Sequence, residues 1–169
     1  KPVDEAAVLQ HLQKLERIKL HQEAKISIME DQIEEIEGAL NAKRNAPDAL
    51  NDFAVSKIGP TFFTVKWKPP KSASKITSYA IYLREYTHDE YKLFDYISGK
   101  FVKIGDGKSV PGDETKITIE HLEPEKTYEL KMRASNDFGW GPRSIRSLKF
   151  TTLRQGAQAQ KQRKQSITQ

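Results

Sequence analysis

The residues able to do chemistry are scattered along this chain of 169 residues. Gly107-Lys108-Ser109 has the ending of a phosphate-cradling loop. That loop needs a glycine five residues before its second one, where Val102 stands, and a helix behind it to supply the anion site. Asp137-Phe138-Gly139 spells the metal-holding triplet of protein kinases, without a Gly-rich loop or a catalytic loop around it. His11, His21, His88 and His121 fall on separate segments at no ligand spacing. With no cysteine, a thiolate metal site, a disulfide framework and a cysteine nucleophile are all excluded. No Ser/His/Asp arrangement can be assembled. The sequence therefore predicts a protein that is not an enzyme and holds no cofactor or metal.

Three segments must position whatever function remains. Residues 4–44 contain no proline and a single glycine, and their apolar residues recur at heptad spacing. With Leu12, Ile26, Ile33 and Leu40 at position a, Val8, Leu15, Met29 and Ile36 fall at d, and Lys19 and Gln22 form a polar layer between. This predicts a coiled-coil helix over 1–46 that needs a partner strand. Glu16, Glu23, Glu30 and Glu37 occupy e, so an antiparallel homodimer would set glutamates against each other. A parallel pair brings Lys25 to Glu30 and His11 to Glu16, each such pair contributing about 0.3–0.5 kcal/mol. A parallel homo-oligomer is expected, with a hetero coiled coil as the other solution. Pro47 and its Asn and Asp neighbours end the helix and make 47–52 a linker.

From 53 to 153 the period changes to two. Phe63, Val65 and Trp67 share a face, as do Tyr79, Ile81 and Leu83, Ile117 and Ile119, and Tyr128, Leu130, Met132 and Ala134. Short strands between turn-forming clusters, with no helix among them, predict an antiparallel sandwich. The fold class is thus α+β as separate parts: a long coiled-coil helix followed by an all-β, immunoglobulin-like sandwich. Residues 154–169 are Gln-rich and basic, and are expected to be a disordered tail. Lys and Arg against Asp and Glu number 7 and 9 in 1–47, 17 and 14 in 48–153, and 4 and 0 in 154–169. The excess positive charge is concentrated in the tail, and no specific nucleic-acid site is expected. Nor does any apolar run approach the roughly 20 residues of a membrane span. The opening Lys1-Pro2-Val3 reads as the start of a fragment.

The sandwich segment resembles the fibronectin type III domain over its whole length. The matching residues are Trp67 with Pro69-Pro70, Ile76, Tyr79 and Tyr82-Leu83-Arg84, then Leu122-x-Pro124-x-x-Thr127-Tyr128. They continue through Ala134-x-Asn136-x-x-Gly139-x-Gly141-Pro142 to Phe150-Thr151-Thr152. The resemblance implies that Trp67 fills the centre of the sandwich and that Tyr128 ties its hydroxyl to backbone near Leu122. It also implies that Gly139 and Gly141 turn with positive φ.

The chain departs from the family pattern at 87–100, an insertion carrying Tyr91, Leu93, Phe94, Tyr96 and Ile97. These side chains either contact a partner or extend the flanking strands. Tyr91, Phe94 and Tyr96, together with Phe138 and Trp140, are the candidate protein-binding residues. Changing the first three to serine is expected to weaken partner capture and to leave stability intact. A coiled coil placed before such a domain resembles part of the microtubule-associated tripartite-motif ligases and the modular build of axonemal and cytoskeletal proteins. That implies a cytoplasmic scaffold, on a cytoskeletal filament or in a cilium. The alternative is an extracellular or receptor-type adhesion module with a helical stalk. Arg163-x-x-Ser166 matches a basophilic kinase site.

Overall fold

In the computed structural model, residues 2–87 and 90–161 are described. They divide into two compact units, one ending at Asn41 and the other beginning at Ala42. The helix α1 runs Glu5–Asn45. Asp4 caps it, its Oδ1 accepting the Ala7 amide at 3.2 Å. Lys43 and Arg44 complement the dipole in the last turn. Along its 41 residues no side chain is buried.

Eleven strands follow: β1 (Phe53–Ile58), β2 (Phe63–Trp67), β3 (Ser78–Glu85), β4 (Lys92–Phe94), β5 (Phe101–Val102), β6 (Val110–Pro111), β7 (Lys116–Ile119), β8 (Thr127–Asn136), β9 (Gly139–Trp140), β10 (Leu148–Thr151) and β11 (Gln160–Lys161). The smaller sheet has the order β11-β1-β2-β7. The larger runs β10-β8-β3-β4-β5, with β6 paired to β3 and β9 to β8. Every pairing is antiparallel. A long helix followed by a β-sandwich is the expected fold class. The inner faces carry the alternating sets read from the sequence, with Phe63, Val65, Tyr79, Ile81, Leu130 and Met132 among the buried residues. Trp67 meets the Tyr79 ring edge-on at 5.2 Å.

The Tyr128 hydroxyl accepts the Glu123 amide at 3.1 Å, one residue from the expected tie. A Tyr128→Phe change leaves that amide without its partner. It should lower unfolding free energy by about 1–2 kcal/mol, read as a reduced urea midpoint with an unchanged m-value.

Three expectations need correction. Gly139 has φ +136°, as the turn requires, but Gly141 is a glycine for another reason. A Cβ there would lie 2.2 Å from the Pro47 carbonyl oxygen. The span 47–52 is more than a linker: Pro47 is buried, Leu50 is 0% exposed within the core, and the Asp48 amide donates to the Lys71 carbonyl. The tail, finally, is not wholly without structure. Gln160 and Lys161 pair with Ile58 and Lys57, because the outer edge of β1 offers backbone groups that an extended segment satisfies whatever its side chains. Ser166 and Arg163 lie outside the described residues, as does His88.

Candidate protein-interaction surfaces

α1 carries the first surface. Val8, Leu12, Leu15, Ile26, Met29, Ile33, Ile36 and Leu40 are all exposed, and the large apolar side chains of α1 past its first turn lie between 43% and 66% exposed. Heptad positions a and d make one stripe on a helix. Ile18 at g and Leu9 at e widen it, and both were absent from the sequence assignment. Ile18 stands beside the Lys19 layer, and its spacing of three from Leu15 was the available signal.

The insertion forms a β4–β5 hairpin, which puts its residues in different environments. Phe94 points inward, 4% exposed, and meets the Phe101 ring edge-on at 5.6 Å. It is therefore a core residue, and the expectation that its loss spares stability is overturned. Leu93 faces the other way and is buried with Ala80 and Tyr82. Tyr91 is half-buried beside that cluster, with the Arg84 guanidinium 4.7 Å from its ring. Tyr96, at 36%, is exposed at the turn. Phe138 and Trp140 are exposed at the β8–β9 hairpin. The five aromatic candidates thus do not form one cluster.

Asp95 organises the hairpin. Its carboxylate accepts the amides of Ile97, Ser98 and Lys108 at 3.3, 3.2 and 2.9 Å. The Ser98 side chain first, then the Lys108 amide, lower its pKa to about 2 from 3.8. Since the folded value lies below the unfolded one, the stabilisation is complete above the unfolded pKa and is lost as pH falls from about 4 through about 2. Asp95→Asn should flatten the acid limb of the stability–pH curve in that window and leave its shape near neutrality unchanged, as followed by urea unfolding at each pH.

The second surface, the outer face of the larger sheet, was not singled out in the sequence. Paired residues of antiparallel strands share a face, so the register sets Lys149, Glu129 and Arg84 in one row and Lys131, Tyr82 and Leu93 in the next. Arg133 and Ala80 follow, then Trp140, Ser135 and Ser78. The Arg143 guanidinium lies 4.1 Å from the Tyr82 ring centroid and that of Arg133 5.7 Å, and the Arg133 Nε–H donates to the Tyr82 hydroxyl at 2.8 Å. Arg133 also lies 4.8 Å from the Trp140 ring, and the Lys149 ammonium 3.5 Å from that of Tyr86. Glu129 accepts from Arg84 at 3.0 Å and from the Ser147 hydroxyl at 2.6 Å. Burial raises its pKa, but those bonds outweigh burial and hold it below the usual carboxylate range. Period-two Lys131 and Arg133 on β8 were the legible part of this pattern.

On the outer face of the smaller sheet, Ala54, Ser56, Lys66, Lys68 and Lys116 line a shallow cavity of about 580 Å³. No group of three metal-ligating side chains occurs among the described residues. No helix among them is long and apolar enough to cross a membrane.

With this geometry the comparisons agree. The fibronectin type III domain matches residues 45–149, and the chain belongs to that family. Integrin beta-4 of human, rat and mouse is 26% identical over 96 residues, which make up 56% of this chain. The chain spans only 4% of the length of those relatives. Among solved structures, the chicken CNTN1 FN1–FN3 domains align with a TM-score of 0.52 at 20% identity, covering 64% of this chain and 33% of that one. Titin domains A168–A170 give 0.51 at 23%, covering 64% and 33%. The twitchin kinase region from C. elegans gives 0.53 at 20%, covering 66% and 18%. At these identities the structures show the sandwich fold alone.

Proposed function

We propose that this chain is a non-catalytic scaffold in which α1 assembles with a second copy in parallel and the fibronectin type III domain docks protein partners. One observation carries the reading: a helix of 41 residues that buries none of its side chains while presenting an apolar stripe broken at the Lys19 and Gln22 layer. A stripe of that length is stable in water when another helix covers it. The glutamates at e favour the parallel arrangement, because antiparallel packing sets them face to face. A cytoskeletal setting, on filaments such as microtubules, follows from the architectural resemblance. Sedimentation velocity of the intact chain across a concentration range tests assembly: a fast-sedimenting species should give way to monomer on dilution. A monomer at every concentration would refute self-assembly. Co-sedimentation with polymerised microtubules tests the setting, and no enrichment in the pellet would refute it.

A further inference from the structure

We propose that the outer face of the larger sheet docks an extended acidic polypeptide segment with carboxylates at alternate residues. This rests on the reading of the sandwich as a protein-docking domain and names the chemistry of its partner. Arg84, Lys131, Arg133, Arg143 and Lys149 lie on or over this face, against one carboxylate among the described residues, that of Glu129, which Arg84 and Ser147 already occupy. Among the described residues, no salt bridge joins a carboxylate to Lys131, Arg133 or Arg143, and Lys149 stands opposite Glu129 in the same row.

A merely solvated basic surface leaves its long side chains free. Here Arg133 and Arg143 are laid against the Tyr82 ring, Arg133 against Trp140 as well, and Lys149 against Tyr86. Stacking restrains their rotamers in advance, so less entropy is lost when a carboxylate arrives. A stacked guanidinium still presents N–H edges in the fork geometry that a carboxylate accepts.

The spacing selects the partner. Lys131 and Arg133 are alternate residues on β8, about 6.8 Å apart, and alternate side chains of an extended peptide repeat at that same distance. Trp140, exposed in the row beyond Arg133, gives an apolar side chain on that same face of the peptide an anchor. A sulfated polysaccharide has no apolar side chains to place there.

The test titrates the intact chain, at low salt, into a fluorescein-labelled peptide of alternating glutamate and valine. The same peptide with glutamine or lysine in place of glutamate serves for comparison. Binding of the glutamate peptide is expected, with Lys131→Gln/Arg143→Gln weakening it roughly tenfold or more at an unchanged unfolding midpoint. Lys66→Gln/Lys116→Gln, on the other sheet, should leave it unchanged. Lys131→Gln alone, which removes no ring contact to Tyr82, should weaken binding severalfold if the double variant unfolds. Equal binding in the face variants overturns the proposal. So does displacement of the peptide by a charge-matched heparin fragment or oligothymidylate more readily than by unlabelled peptide. Tighter binding of the glutamine or lysine peptide overturns the acidic partner and leaves the docking reading standing, whereas failure to bind any of the three peptides counts against both.

Discussion

Phe94→Ser should lower the unfolding free energy of the sandwich by about 3–5 kcal/mol, the range for truncating a buried aromatic side chain. Phe94 is nearly fully enclosed, belongs to the main core and packs edge-on against Phe101. Serine would leave a cavity and place a hydroxyl in it. Against the roughly 5–15 kcal/mol typical of a folded domain, that is a large fraction, visible as a shifted urea midpoint in far-UV circular dichroism. Tyr96→Ser, two residues on and at the exposed turn, should change stability by no more than about 0.5 kcal/mol. The contrast separates the residues of the insertion that hold the sheet from those free to touch a partner. Equal effects at the two positions would mean that the hairpin is not seated on the core.

Ile26→Asp/Ile33→Asp should dissociate the assembled chain. Both side chains lie on the apolar stripe of α1 and are about half exposed in the lone helix. Burying an isoleucine completely is worth about 1.5–3 kcal/mol. Four half-exposed isoleucines in a dimer therefore contribute about 3–6 kcal/mol, before the cost of an unpaired carboxylate in the seam. At 1.4 kcal/mol per factor of ten, the dissociation constant should rise by about a hundredfold or more. Sedimentation equilibrium reads this directly. Because no residue of α1 is buried, the thermal midpoint of the sandwich should stay where it is. A joint loss of assembly and sandwich stability would contradict the separate roles assigned to the two parts.

The sandwich was legible because its inner residues obey a strict period of two on long central strands, where Tyr79, Ile81 and Leu83 face Leu130, Met132 and Ala134. The β4–β5 hairpin was less so. Leu93 and Phe94 are adjacent and both buried, one on each side of the sheet, so alternation cannot say which faces inward. Gln160 and Lys161 carry no apolar side chain, and their order comes from an open edge contributed by β1. Gly141 looked like a turn residue because the close approach that requires glycine comes from Pro47, far along the chain. The cation–ring contacts were hidden for the same reason. Tyr82 and Arg143 meet only once β3 and the segment after β9 are folded together. The helix stripe is a purely local pattern, read from heptad spacing alone.

The Asn136 side chain is buried and donates through Nδ2 to the Asn45 carbonyl at 2.7 Å and to the Ser72 hydroxyl at 2.9 Å. With Leu50 enclosed and Gly141 against the Pro47 carbonyl, the domain is anchored by residues that precede its first strand. A unit cut at Phe53 for transplantation into another protein would expose an apolar socket and strand a buried amide. The portable cassette, for gene shuffling or for protein engineering alike, begins at the last residue of the helix.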